Sequence, residues 1–128
     1  MSASRLRLLG MLQWAGLLVG AGVWGGQHIV GFGITQAECS AGGAHWGIGN
    51  DVWQATLMGI TALFIVAAEV AAVAVFRGTE GTSYDTGDPP PGRLRFFAIA
   101  AMAGNLIFLM IVLLDGFASI FNVVCRQG

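Results

Sequence analysis

The hydrophobic positions of this chain fall into three long runs that are separated by two polar stretches. The middle run, 54–76, contains one formal charge, Glu69. A bilayer core is about 30 Å thick, and a helix that rises about 1.5 Å per residue crosses it in about 20 residues. Because every run is long enough, the pattern predicts an all-α membrane protein with three transmembrane helices, at about 8–35, 52–76 and 96–124.

The composition agrees with this pattern. The 128 residues are 55% hydrophobic and 10% charged, whereas soluble domains carry about 25% charged residues. The length allows a single integral membrane domain over 1–128, with a polar, Pro-rich loop at 77–95 that we expect to be mobile and cytoplasmic. The net charge of −1 and the scattered arginines give no basic patch, which argues against a nucleic-acid partner.

Arginine placement predicts the orientation of the helices. The first apolar run is too long for a signal peptide and no Ala-x-Ala site follows it, so we expect it to be retained. Only Arg126 lies on the opposite side of a three-helix arrangement from the other five arginines, which are Arg5, Arg7, Arg77, Arg93 and Arg95. The positive-inside rule then places the N-terminus in the cytoplasm and the C-terminus outside.

The two cysteines fall on the same predicted side, just beyond the ends of the first and third runs. Outside the bacterial cytoplasm thiols are commonly oxidised, so we expect a disulfide between Cys39 and Cys125. The chain-entropy model gives such a loop about 4 to 5 kcal/mol, and less where the membrane already confines its ends. Two unrelated thiols, one of them lipidated, or a soft-metal site with His45 are weaker alternatives.

The first helix carries two G-x-x-x-G motifs, Gly16–Gly20 and Gly22–Gly26. Glycines at this spacing allow another helix to approach closely. Two interpretations stay open at this point. The motifs form a docking face for a homodimer or a larger complex, or they pack against the other helices of the same chain.

Polar side chains within the apolar runs fall into two layers. Counting about 1.5 Å per residue from the nearest cytoplasmic arginine, Gln13, Glu69 and Asn105 lie at about 9 to 15 Å depth. His28 and Asp115 lie near 30 Å, close to the outer interface, with Gln54 at a similar height. On the third helix Asn105 and Asp115 belong to one stripe that we expect to face protein. Either Asn50 or Asp51 is expected to cap the second helix.

Glu69 has two possible roles. It relays protons or pairs with a cationic partner subunit, or it is a protonated carboxyl that is hydrogen-bonded to Gln13 or Asn105. His28 and Asp115 could form an ion pair, and His28 as a haem ligand is the weaker reading. We find no catalytic arrangement in the sequence, so we expect no enzymatic activity, no metal site and no cofactor of its own.

The residues around the cysteines carry a resemblance to a known group of proteins. The first run closes with a segment that begins at Gln27-His28-Ile29 and ends at Cys39. The third run is preceded by Arg93-Leu94-Arg95-Phe96 and followed by Cys125. This resembles small three-span bacterial membrane proteins that are encoded beside haem–copper (cytochrome c) oxidase subunits. The long Pro-rich loop departs from that pattern. The resemblance implies a respiratory setting, with haem and copper in partner subunits.

Three hypotheses for function follow from the sequence. The first is a non-catalytic accessory subunit or assembly partner of a respiratory complex, surrounded by larger integral membrane subunits and lipids. The second is a small homo-oligomeric channel or transporter that uses Glu69 and Asp115. The third is a thiol redox module at Cys39 and Cys125.

Overall fold

Three long helices make up the computed structural model, which describes residues 2–40, 47–81, 91–121 and 125. Helix α1 is Ala3–Cys39, α2 is Asn50–Gly78 and α3 is Pro91–Phe121. Each one is long and apolar enough to cross a membrane, and no strand occurs in the described ranges. The predicted all-α, three-span architecture is therefore confirmed, and the chain is a multi-pass membrane protein.

The helices are longer than predicted at five of their six ends. α1 begins at Ala3, where the Ser2 hydroxyl accepts from the Arg5 amide at 3.4 Å, and it continues to Cys39. α3 begins at Pro91, a residue that suits the first helical position because its amide would have no helical partner there. At its far end α3 reaches Phe121, and the predicted residues 122–124 lie outside the described part of the chain.

The predicted loop 77–95 is correspondingly shorter. Arg77 and Gly78 belong to α2, and residues 91–95 belong to α3. Residues 82–90, on which the expected mobility of this loop depended, lie outside the described ranges.

The buried positions follow a spacing of alternately three and four residues on every helix. This repeat of 3.5 residues keeps one seam of each helix facing its neighbours and is typical of left-handed packing. The seam of α2 consists of Gln54, Thr61, Ile65, Ala68, Ala72 and Val75, and that of α1 of Leu9, Gln13, Gly16, Gly20, Gln27 and Gly31. On α3 the seam runs through Leu94, Ala98, Ala101, Asn105 and Val112.

Alanine and glycine make up much of the interior, beside a few buried Leu, Ile and Val side chains, and most large apolar side chains face outward. Ala72 and Ala98 are each 1% exposed, whereas Leu63 is 72% and Leu114 65% exposed. This is the reverse of a soluble bundle, because lipid solvates the outer surface and close backbone contact holds the helices together.

Arginines close the end of the bundle at which α2 terminates. Arg95 Nη1 donates to the carbonyl oxygens of Phe76 at 3.3 Å and Thr79 at 3.2 Å, and its guanidinium lies 4.2 Å from the centre of the Phe76 ring. Arg5 Nη2 donates to the Gly78 oxygen at 3.4 Å. A cation at a helix C-terminus satisfies free carbonyls and stabilises the helix dipole. α1 and α3 are thus both attached to the end of α2.

A disulfide closes the opposite end. Cys39, the last residue of α1, is bonded to Cys125, with a Cα–Cα distance of 5.2 Å. The predicted bridge is confirmed, and it joins the ends of α1 and the chain that follows α3.

Candidate functional site

A polar cavity of about 200 Å³ lies between the helices on the disulfide side of the bundle. All three helices contribute to its wall, and most of the contributing side chains are polar. The lining residues are Gln27, His28, Gly31, Phe32, Thr35, Gln54, Asp115 and Ser119. We call this the outer cavity.

His28 and Asp115 form the mouth of the outer cavity. His28 Nδ1 lies 3.4 Å from Asp115 Oδ2, and the two side chains are 57% and 39% exposed. The structure therefore brings together the two residues that the sequence placed at one depth. An accepting carboxylate favours a proton on Nδ1, which leaves Nε2 to face the surroundings.

Hydrogen bonds between α1 and α2 form the floor of the cavity. Gln54 Nε2 donates to the Gly31 oxygen at 3.2 Å and to Thr35 Oγ1 at 3.3 Å, and Thr35 Oγ1 donates to Asn50 Oδ1 at 3.3 Å. The expectation that Asn50 or Asp51 caps α2 is wrong: the N-cap is Gly49, without a side-chain cap bond. The Asn50 side chain is occupied by Thr35 instead.

Gln27 is the member of this site whose role the sequence analysis missed. Its side chain belongs to the seam of α1 and is 5% exposed, and among the described residues its Oε1 has no hydrogen-bond donor. Trp24, one turn earlier, likewise has a buried Nε1 without a described acceptor, and its ring lies 5.6 Å from that of His28. The 3.5-residue repeat from Leu9 onward was the signal that placed Gln27 inside.

The inner polar layer consists of Asn105 and the groups around it. Asn105 Nδ2 donates to the Gly16 backbone oxygen at 3.1 Å and to Glu69 Oε2 at 3.4 Å. Of the two partners that we considered for Glu69, the structure thus shows Asn105. Gln13 is 6% exposed and lines a separate cavity of about 370 Å³ on the arginine side of the bundle, with Trp14 and Arg93.

The two polar layers are separated by apolar packing. Ile65 and Val112, which are 1% and 0% exposed, lie between them along α2 and α3. Glu69 borders an apolar cavity of about 100 Å³ that shares no lining residue with the outer cavity at Asp115.

The two glycine motifs face in different directions. A Cβ added at Gly16 would lie 3.2 Å from Ala72 Cβ, and one at Gly20 would lie 2.5 Å from Asn105 Oδ1. Gly22 and Gly26 have no neighbouring atom within 4 Å of such a Cβ. Gly16 and Gly20 pack against the other helices of the same chain, and Gly22 and Gly26 face outward.

The described residues do not assemble a metal-binding group. No cluster of three His, Cys, Asp or Glu side chains occurs in the described ranges, and both cysteine sulfurs are engaged in the disulfide. The suggested third ligand, His45, lies outside those ranges.

Comparison with known proteins adds no identity. No protein-family model matches this chain, no curated protein matches it, and no solved structure is similar to it.

Proposed function

We propose that this protein is a non-catalytic accessory subunit or assembly partner of a respiratory membrane complex of the cytochrome c oxidase type, in a bacterial inner membrane. The observation that carries the docking role is the outward Gly22–Gly26 face, which packing within the chain leaves bare. The respiratory setting is supported by the sequence resemblance around Cys39 and Cys125.

The bare face has the geometry that a second transmembrane helix needs. Gly22 and Gly26 form a shallow groove, because neither has a side chain and no atom of the described residues lies within 4 Å of an added Cβ. Large side chains border the groove along the same helix, with Leu18 59% and Ile29 75% exposed. Small-xxx-small grooves bring two helix backbones into van der Waals contact, which is a principal driving force for association in lipid.

The glycines also carry a cost that docking would offset. Gly in a helix interior is less favourable than Ala by about 0.5 to 1 kcal/mol in aqueous hosts, and an exposed Gly gains nothing from packing within its own chain. A partner helix that packs in the groove recovers this loss as contact energy. The larger subunits of a complex, which present many helices, are suitable partners.

The test is purification of the tagged chain from its native membranes in mild detergent. We expect the wild type to co-migrate with haem-bearing subunits and the Gly22→Ile/Gly26→Ile variant to lose them. The Gly59→Ile variant is the matched control, because Gly59 on α2 is also bare within 4 Å. Isolation of the wild type only as a symmetric homo-oligomer, or retention of the subunits by the double variant, contradicts the proposal.

A further inference from the structure

We propose that the outer cavity binds the primary ammonium headgroup of an aminophospholipid, of the phosphatidylethanolamine type, from the outer leaflet. This inference goes beyond the docking role and does not depend on it. It is based on a buried acceptor that lacks a donor among the described residues, on an acid in the same cavity, and on the position of the cavity at the membrane surface.

The first argument is the buried acceptor. The Gln27 side chain is buried, with 5% exposure, and its Oε1 accepts no hydrogen bond from the described residues. A buried polar atom without a partner costs about 1 to 3 kcal/mol. Gln27 lines the outer cavity, so a rotation of its amide towards that cavity would let a bound molecule supply the missing donor. The ligand must therefore carry an N–H or O–H group.

The outer cavity also contains an acidic side chain. Asp115 lines the same cavity, so the site presents a carboxylate as well as an amide oxygen, with the Ser119 hydroxyl beside them. A primary ammonium offers three N–H donors and one positive charge, and it has no acceptor to clash with those oxygens. Charge-assisted hydrogen bonds of this kind are about twice as strong as neutral ones.

The outer cavity lies at the depth of the lipid headgroups. His28 and Asp115 lie at about 30 Å from the cytoplasmic arginines, which is the far boundary of the hydrocarbon core. Their side chains are 57% and 39% exposed there, so the cavity opens where lipid headgroups lie.

The size of the cavity is consistent with this ligand. One water molecule takes up about 30 Å³ in the liquid, and the cavity holds about 200 Å³. This is room for an ethanolamine group, while the acyl chains stay outside along the exposed apolar side chains.

Headgroup chemistry provides a sharp test. A choline headgroup keeps the positive charge but has no N–H donor, and a glycerol headgroup keeps O–H donors but has no positive charge. We would exchange the purified full chain into micelles that contain one of three lipids with identical acyl chains, carrying ethanolamine, choline or glycerol headgroups. Native mass spectrometry then counts the lipids that remain bound.

We expect the ethanolamine lipid to be retained about tenfold better than the choline lipid, since one charge-assisted hydrogen bond is worth that factor or more. Gln27→Met and Asp115→Asn, on different helices, are each expected to remove most of this preference. Glu69→Gln, in the inner layer, is the control that keeps it. Formation of the disulfide and the helical circular dichroism signal report whether each variant folds.

Two outcomes overturn the proposal. The first is equal retention of the ethanolamine and choline lipids by the wild type, a comparison that needs no variant. It would mean that water, and not a lipid ammonium, supplies the donor to Gln27. Displacement of the lipid by free phosphoethanolamine at equal concentration means that the site takes a soluble amine, and the assignment to a membrane lipid is then wrong.

Discussion

Asn105 of α3 donates a hydrogen bond through Nδ2 to the backbone oxygen of Gly16 in α1, at 3.1 Å. The same nitrogen lies 3.4 Å from Glu69 Oε2 of α2, so a single side-chain amide contacts all three helices. It is 3% exposed. In lipid a buried amide has no water with which to form hydrogen bonds. A polar contact of this kind therefore determines which helix faces pack together.

Replacing Asn105 with Leu is expected to destabilise the bundle by about 1 to 2 kcal/mol, the upper part of the range for interhelical hydrogen bonds in membranes. The loss arises because Glu69 and the Gly16 carbonyl both lose a donor. Reversible unfolding in mixed detergent micelles measures it. Gly104→Ala, at the preceding position where no atom lies within 4 Å of a new Cβ, serves as the control. Equal stability of N105L and the wild type would remove this contact from the account.

At Glu69 we expect the acceptor to matter and the charge to be dispensable. Glu69→Gln keeps an oxygen for Asn105 Nδ2, so its unfolding midpoint should stay within experimental error of the wild type. Glu69→Leu removes that oxygen and should lower the free energy of unfolding by about 1 kcal/mol. If E69Q instead abolishes a biological activity while the fold is intact, Glu69 acts in proton transfer or in pairing with a cationic subunit.

The two glycine motifs should respond to Ala with opposite signs. At Gly20 a Cβ would lie 2.5 Å from Asn105 Oδ1, so Gly20→Ala forces Asn105 away from its partners, and we expect a loss of about 1 to 3 kcal/mol. At Gly22 the space is open, so Gly22→Ala should be neutral or slightly stabilising, because Ala is the better helix former. The same micelle unfolding assay compares them. Similar losses at both positions would mean that Gly22 also packs inside the chain.

Arg95 should stabilise the end of the bundle where α2 terminates, through its several N–H donors as well as its charge. Arg95→Ala removes the bonds to Phe76 and Thr79 and the contact with the Phe76 ring, and we expect a loss of about 1 to 2 kcal/mol after allowance for partial exposure. Arg95→Lys should recover only part of it, because an ammonium cannot form the same planar contacts. Arg93→Ala, at an exposed position two residues earlier, is the control. Hydrogen exchange at the end of α2 would show the effect directly.

The apolar runs were sufficient to predict the helices, since nothing else satisfies backbone groups in lipid. Their ends were not predictable from hydropathy. α1 continues through Gln36 and Glu38 to Cys39, where the disulfide fixes its end, and α3 gains its first turn from Pro91. Hydropathy indicates which residues lie in the hydrocarbon core of the membrane. The full length of a helix depends also on caps and tertiary contacts, which polar residues beyond the core can supply.

The candidate site was predictable in height but not in direction. Counting residues from the arginines placed His28 with Asp115 and Glu69 with Asn105, because rise per residue is nearly constant in a helix. The same counting could not show that Gly16–Gly20 faces inward and Gly22–Gly26 outward, since both motifs have the same spacing. Gln27 required the full 3.5-residue repeat of α1, in which it follows Gly20 and precedes Gly31.

Both proposed roles require three membrane crossings that leave the disulfide on the extracytoplasmic face. A membrane-impermeant maleimide, applied to intact spheroplasts and to inverted inner-membrane vesicles, with and without reductant, tests this directly. We expect Cys39 and Cys125 to react in the spheroplasts alone, and only after reduction. Labelling of one cysteine in spheroplasts and of the other in inverted vesicles, or of either without reductant, would contradict it.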